Sequence, residues 1–436
     1  MKKINLGLIG FGAVGNNVLK LFERNRDSIE QKIGSSIEFS YVCDKNSARL
    51  REIKKKVKKV TTDWHRVVKS QSVDIVIELI GGENPARDII ISALKNNKNI
   101  VTANKLVLAK NWEEIFSLAR KKQKLVYFEA AVGAGIPVVQ ALNEGLAANR
   151  INRIIGILNG TTNYILTKMT REDIDFETAL KHAQKQGFAE LNPKLDIMGF
   201  DTAHKLSILT SIGWSTWLKL ENIYVEGIEK IAVEDVKFAY NEFGYVIKLL
   251  GIARQIDNKL EIAVRPCLIP KTHPFASVDN EYNAVLLDGD ACGEIIFYGK
   301  GAGGFPAASA VVSDIMFLAR QISAGTAGKI PYVSYEPAKK LSFLSVEQTE
   351  GCYYLRFNMA DRPGVLSKIS GILGKCKVSI ASVYQKEPLF KYRRGVPVLM
   401  LTHSTNESAL KEAIDEIDKL KITKSRTVFF RIEELK

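Results

Sequence analysis

Four side chains that could move a proton lie close together in one stretch. Glu190, Asp196, Asp201 and Lys205 fall in AQKQGFAELNPKLDIMGFDTAHK, residues 183–205, with Gly187, Asn192-Pro193 and Gly199 breaking the chain between them. Ser207, Ile208, Leu209 and Ile212 continue with helical spacing. Asp201 is therefore expected at a helix N-cap, with Lys205 one turn further on the same face. A carboxylate and an ammonium on one face can share a proton with a substrate oxygen. Alone, Asp-x-x-x-Lys is an ordinary surface ion pair; the glycines and further acids at fixed offsets before it favour a site.

Such a pair needs a scaffold, and the first part of the chain supplies one. Ile4–Ile9 reads as a short buried strand, GFGAVG follows at residues 10–15, and Val18, Leu19 and Phe22 have helical spacing. Strand, G-x-G-x-x-G and helix in this order is a dinucleotide-binding arrangement: Gly10 makes the turn, Gly12 admits a pyrophosphate, and Gly15 lets helix and strand pack. Gly10, Phe11, Gly12, Ala13, Val14 and Gly15 are the candidate cofactor residues. The second strand, Ile37–Cys43, ends at Asp44 and Lys45, where a ribose is read. Asp44 suits the 2'-OH of NAD, whereas Lys45 and Arg49 suit the 2'-phosphate of NADP, so both cofactors stay open. Asp44 comes later than the usual ~20 residues after the glycines, a delay assigned to a loop over residues 27–36. Val73–Ile80 and Asn99–Val101 are further strands and Pro85–Leu94 is a helix, which makes this part a doubly wound α/β sheet. Lys105, in TANK after a strand, falls where such sheets bind ligands.

Beyond the sheet, EAAVGAGIP at residues 129–137 forces an irregular backbone whose carbonyls suit a hard cation or simply a domain hinge. NGTTN, Asn159 to Asn163, sits between a strand and a helix, and free N–H groups at a helix start suit a carboxylate. Residues 233–250 read as a helix, Leu260–Cys267 as a strand, and GKGAGGFPAASAVVSDI, residues 299–315, as a glycine-rich turn leading into an apolar helix. After a linker, residues 352–432 give strand and helix in the order β-α-β-β-α-β, a ferredoxin-like arrangement.

Composition sets the outer limits. A chain of 436 residues, 46% hydrophobic and 25% charged, is long enough for two or three domains. The net charge of +14 is concentrated in part in KKKVKK at residues 54–59, without interleaved aromatics, so a solvated helix face or a cofactor phosphate is favoured over nucleic acid. Five scattered cysteines show neither disulfide nor zinc spacing, and the apolar start is broken by glycines. A cytoplasmic protein without a membrane span is expected.

The motif A-x-x-x-G-F-A-x-x-N-P-x-x-D-I-x-G-x-D-x-x-x-K over residues 183–205 closely resembles the signature of homoserine dehydrogenases, and DRPGVLSKISGIL with VSIASVYQ resembles an ACT domain. The resemblance implies an NAD(P)-dependent oxidoreductase interconverting L-homoserine and L-aspartate 4-semialdehyde on the way to threonine, methionine and isoleucine. It implies Lys205 as proton donor, with Lys105 and Asp201 as catalytic partners. Glu190 would bind the substrate amino group, with Asp196 and Asn159, Gly160, Thr161, Thr162 and Asn163 also in contact with substrate. Gly303 would lie near the nicotinamide, and main-chain oxygens of Glu129, Val132, Ala134 and Ile136 would hold a monovalent cation, Na+ or K+. An amino-acid effector such as threonine would bind near Asn358, Asp361, Gly364 and Gln385. The implied layout is a Rossmann domain over 1–135 with a return segment 301–325, an α+β substrate and dimerisation domain over 136–300, a linker over 326–349 and the ACT domain over 350–436. A homodimer or homotetramer follows from the same resemblance. Two other readings remain: another semialdehyde dehydrogenase, which would need a nucleophilic cysteine, and a non-catalytic amino-acid sensor.

Overall fold

The computed structural model describes residues 3–334, 342–385 and 395–435. The chain divides into two compact units, each assembled from three separate stretches. The first takes Met1–Gly160, Asp201–Ile223 and Glu281–Leu341; the second takes Thr161–Phe200, Tyr224–Asn280 and Ser342–Lys436.

In the first unit, six parallel strands lie in the order Val60–Thr61, Ser36–Cys43, Lys3–Ile9, Ile75–Glu78, Asn99–Thr102 and Val126–Tyr127. The chain starts in the middle, builds one side and then reverses to build the other, which is the doubly wound order expected. Central strands such as IVIE are buried on both faces, which requires helices above and below. One of those helices, Gly304–Ala324, arrives from far along the chain: Val311, Ile315 and Leu318 join Ile4, Leu6, Val18 and Phe22 in one core. Ile151–Ile157, Tyr282–Gly289 and Gly293–Lys300 form antiparallel pairs in the same unit.

In the second unit, Tyr245–Ile256 and Lys259–Pro270 form a long antiparallel hairpin. Lys259–Pro270 runs parallel to Thr423–Ile432 through Cys267–Arg431 and Leu268–Ile432. That last strand belongs to a β-α-β-β-α-β module: Glu350–Met359, helix Val365–Lys375, Ile380–Tyr384, Val396–Thr402, helix Glu407–Asp418 and Thr423–Ile432. The ferredoxin-like order read from the sequence is present. Its two helices pack Ile369, Leu373, Leu410 and Ile414 over Tyr353, Leu355 and Phe357.

Four local expectations are corrected. The glycine-loop helix runs Ala13–Ile33, so residues 27–33 are helix and not loop: Ile29 and Ile33 bury at helical spacing, Arg26 pairs with Glu30 at 3.3 Å, and Gly34 ends the helix at φ 68°. The longer helix, rather than a loop, delays Asp44. The lysine run at 54–59 is not a helix face, because the helix stops at Ile53 and the lysines occupy turns beyond it. The helix expected over 233–250 ends at Asn241; Gly244, at φ 74°, turns the chain, and Tyr245–Ile256 is a strand. Its run YVIKLLGIA is apolar throughout, a pattern that a strand buried on both faces shares with a buried helix. Finally, the expected linker contains the strand Ser342–Leu344, paired with Lys259–Glu261; residues 335–341 of it lie outside the described residues.

Candidate active site

The first unit gathers the two lysines around one carboxylate. Asp201 sits in the first turn of helix Phe200–Gly213 and not at its cap, yet the four-residue spacing still sets Lys205 beside it. Lys205 Nζ is 2.9 Å from Asp201 Oδ2, and Lys105 Nζ is 2.8 Å from Asp201 Oδ1. Lys105 opens helix Lys105–Lys122 at the carboxyl end of strand Asn99–Thr102, where Asn104 caps the helix and ties back to the Ile80 and Gly82 carbonyls. Asn159, just past strand Ile151–Ile157, donates to Asp201 Oδ2 at 2.9 Å, and the Leu158 carbonyl accepts from Lys205 Nζ at 2.6 Å.

Lys205 is 7% exposed and Asp201 6%. Burial alone would raise the Asp201 carboxyl, but the Lys205 and Lys105 ammonium groups overcome it and hold the acid well below the usual carboxylate range. It is a fixed anion. His204, between them in sequence, is pushed the other way: burial lowers its imidazole against the pull of Asp201, keeping it neutral near pH 7. Two of the three Lys205 N–H donors are thus spent on Asp201 and Leu158, which leaves one for a substrate oxygen.

The glycine loop lies in the same unit beside a cavity of about 410 Å³ lined by Gly10, Gly12, Asp44, Lys45, Arg49 and Trp64 among others. A Cβ on Gly12 would meet no protein atom within 4 Å, whereas one on Gly15 would sit 2.2 Å from the Gly10 carbonyl oxygen. Gly12 therefore faces open space and Gly15 faces the turn. The helix that starts at Ala13 has no side-chain cap, so its N–H groups remain available to a pyrophosphate. A dinucleotide fits this cradle. Phe11 is buried, and its N–H donates to Asp44 Oδ2 at 2.7 Å, while Asn46 N–H donates to Asp44 Oδ1 at 2.8 Å. Asp44 thereby fastens the glycine turn to the second strand; Lys45 stays exposed and Val14 half-buried. Gly303, at φ 120°, caps helix Gly304–Ala324, and a Cβ on Gly304 would meet the Asn17 amide at 2.3 Å, so this return segment lies against the glycine-loop helix.

At the loop expected to hold a cation, Glu129, Val132, Ala134 and Ile136 are all buried, and Ala134 takes φ 48°. The Glu129 carboxylate accepts from Val139 N–H at 2.9 Å and Gln140 N–H at 2.8 Å, and its own N–H donates to Asp314 Oδ2 at 2.9 Å. Burial pushes the Glu129 carboxyl up to about 7 and Asp314 well above the usual range; Glu129 raises Asp314 further, and Glu144 raises both. Two buried acids beside an irregular, carbonyl-rich loop would be drawn into their charged forms by a cation held there, so the residues present are compatible with one.

Apart from Gly160, the last residue of a first-unit stretch, the remaining candidates lie in the second unit. Glu190 is exposed in the turn after helix Phe176–Lys185, where its carbonyl accepts from Gln184. Asp196 is half-buried in the short helix Lys194–Ile197. Gly160 opens helix Gly160–Glu172, so Thr161, Thr162 and Asn163 form its first turn and are buried. Thr161 Oγ1 donates to the Phe188 carbonyl at 2.6 Å, and the Asn163 amide donates to Val278 and Asn280 carbonyls at 2.9 and 3.0 Å. In the ferredoxin-like module, Asp361, Gly364 and Gln385 line one cavity of about 460 Å³; Asn358 is on the adjoining strand and is not among its lining residues.

Sequence reasoning missed Leu158, Trp64 and Asp314. A main-chain carbonyl leaves no mark in a sequence, and Trp64 stands alone. Asp314 did carry a signal: it is the single acid in the largely apolar helix Gly304–Ala324.

Family models cover most of the chain: the NAD-binding domain of homoserine dehydrogenase matches residues 10–129, homoserine dehydrogenase itself residues 137–316, and the ACT domain residues 353–421. The homoserine dehydrogenase of Neisseria gonorrhoeae is 40% identical over 100% of both chains. The crystal structure of a homoserine dehydrogenase from Thiobacillus denitrificans superposes with a TM-score of 0.94 at 40% identity, covering 100% of this chain and 99% of that one. A hyperthermophilic archaeal homoserine dehydrogenase solved with NADPH shares the fold over 72% of this chain and 97% of its own, at TM-score 0.60 and 24% identity. With the glycine cradle and the paired lysines in place, and with full-length similarity at this level, the chain belongs to the homoserine dehydrogenase family, as an NAD(P)-dependent oxidoreductase that interconverts L-homoserine and L-aspartate 4-semialdehyde in amino-acid biosynthesis.

Proposed function

We propose that Lys205 is the proton donor and acceptor of this reaction, with Asp201 and Lys105 fixing its position. The observation that carries the assignment is the Asp201 carboxylate bridging two ammonium groups, one of them buried and holding a single N–H in reserve. Bound NAD(P)H supplies the hydride to the aldehyde carbon. Lys205 gives a proton to the carbonyl oxygen as that carbon is reduced; in the other direction it takes the hydroxyl proton as the hydride leaves. Asp201 and Leu158 hold the amine in one rotamer, and Asn159 locks the carboxylate in turn. Lys105 adds positive charge where the oxygen becomes anionic. Glu190 pairs with the substrate ammonium, Asp196 assists by hydrogen bonding, and the helix start at Gly160–Asn163 receives the substrate carboxylate.

Gly10–Gly15 would hold the pyrophosphate, Asp44 or Lys45 the ribose end and Gly303 the nicotinamide side. Main-chain oxygens of Glu129, Val132, Ala134 and Ile136 would hold a monovalent cation, offsetting the charge of Glu129 and Asp314. The cavity at Asp361, Gly364 and Gln385 supports an amino-acid effector, and the ACT domain supports assembly with further copies. The scattered, unpaired cysteines support a reducing, cytoplasmic setting.

Lys205→Ala is expected to lower kcat by about 10²- to 10⁴-fold while NADPH binding, followed by cofactor fluorescence, stays at the wild-type level. Turnover near wild type would remove Lys205 from the chemistry.

A further inference from the structure

Lys248 stands where a chain built only for stability would place an apolar residue. It lies in YVIKLLGIA of strand Tyr245–Ile256, between Ile247 and Leu249, in a run buried on both faces, and is itself 3% exposed. Its Nζ donates to Asn163 Oδ1 at 3.0 Å and to the Val278 carbonyl at 2.5 Å, and approaches Asp279 Oδ1 at 3.5 Å. All three N–H groups are directed at named acceptors. Burial lowers this amine to about 8 against the pull of Asp279, a measure of how unfavourable the location is for a cation. Buried ion pairs of this kind are often no more stable than apolar replacements, so the fold alone gives little reason for it.

The contacts give another reason. An ammonium has no acceptor, so the Asn163 carbonyl oxygen must face Lys248 and the Asn163 amide must face Val278 and Asn280. Thr167 completes the knot: its hydroxyl donates to the Asn163 main-chain carbonyl at 2.7 Å and accepts from Asn280 N–H at 3.0 Å. The start of helix Gly160–Glu172 is thus bolted to residues 278–280 through the Asn163 and Thr167 side chains, and Lys248 orients the Asn163 one.

We propose that Lys248 is a positioning residue for the substrate: through Asn163 it sets the angle at which the helix start at residues 160–163 presents its N–H groups to the substrate carboxylate. This rests on the assignment of that helix start to the carboxylate. The residue touches neither substrate nor cofactor; it acts by fixing the turn that does. Small errors in such a turn weaken recognition without moving the hydride or proton groups.

The test compares L-homoserine with 3-aminopropan-1-ol, the same molecule without its carboxylate, in the wild-type enzyme and in Lys248→Met. The wild type should prefer homoserine strongly in kcat/KM. Lys248→Met should raise the homoserine KM about tenfold or more, leave the NAD(P) KM within twofold, and narrow the preference over the aminoalcohol. Because Lys248 and Asn163 act as one unit, Lys248→Met with Asn163→Leu should be no worse than the worse single variant. If Lys248→Met does not fold, Asn163→Asp, which keeps the acceptor for Lys248 but loses the amide donors, should raise the homoserine KM in the same way. A wild type indifferent to the carboxylate would overturn the assignment of the helix start. A discriminating wild type with an unchanged homoserine KM in these variants, a lower Tm being their sole defect, would overturn the role of Lys248 alone.

Discussion

At the scale of single residues, this protein buries acids in two opposite ways. Asp201 is flanked by two lysines and held ionised; Glu78 and Glu129 are buried with no lysine or arginine acting on them and are pushed up to about 7. For Glu78, burial dominates over bonds accepted from the Thr102 hydroxyl and Ile80 N–H. A carboxyl raised in the folded state binds its proton more tightly there than in the unfolded chain. Between pH 4.5 and about 7 the fold holds the extra protons, so the stabilisation present below that window is lost as pH rises through it, by roughly 3 kcal/mol per group. Tm, followed by circular dichroism, should therefore decline from pH 5 to 8, and Glu129→Gln should flatten the decline. A Tm that rises steadily across this range would show that neither carboxyl is raised in the folded protein. The spacing of Asp201 and Lys205 was legible because four residues make one helical turn whatever surrounds them. Glu78 was not, since its partners are a hydroxyl and an amide contributed by other strands and loops.

At the scale of elements, the second and third glycines of the nucleotide loop have different jobs. Gly15 is pressed on the Gly10 carbonyl, and Gly12 faces a cavity. Gly15→Ala should force the helix off the strand, lowering Tm by several degrees, for a cost of about 1–3 kcal/mol. Gly12→Val should leave Tm near wild type and weaken NADPH binding by at least tenfold, measured by fluorescence titration; equal effects in both assays would erase the distinction. The strand–glycine–helix unit was readable because each part has its own local pattern. Residues 245–256 were not, because an apolar run without alternation fits a buried strand and a buried helix equally. Its lysine is the residue that breaks the pattern.

At the scale of the whole molecule, charge is used where apolar packing would be expected. In the second unit, Arg265 is 2% exposed and bonds Glu407 at 2.6 Å; Tyr353 donates to the same carboxylate at 3.0 Å. Arg254, Glu261, Arg431 and Glu433 form a second buried set, and Asp235 binds Arg356 and Tyr354. Each set joins strand or helix residues between 235 and 265 to residues of the ferredoxin-like module. Glu407→Gln should leave Arg265 facing the more distant Glu226, 3.9 Å from its Nε, in place of its hydrogen-bonded carboxylate, and cost about 3–5 kcal/mol in urea unfolding. A loss under 1 kcal/mol would mean that Glu226 suffices to balance Arg265. The order of strands in the module was legible from the sequence, but its attachment was not, because buried arginines and glutamates read as surface charges until their partners are known.

The late arrival of helix Gly304–Ala324 bears on how the protein is made. A nascent chain that has just completed strand Val126–Tyr127 has all six strands of the cofactor sheet, yet the apolar side of its first helix stays bare until Val311, Ile315 and Leu318 leave the ribosome. At ordinary elongation rates that interval is roughly 10 to 40 seconds, long enough for chaperones to compete for the uncovered surface.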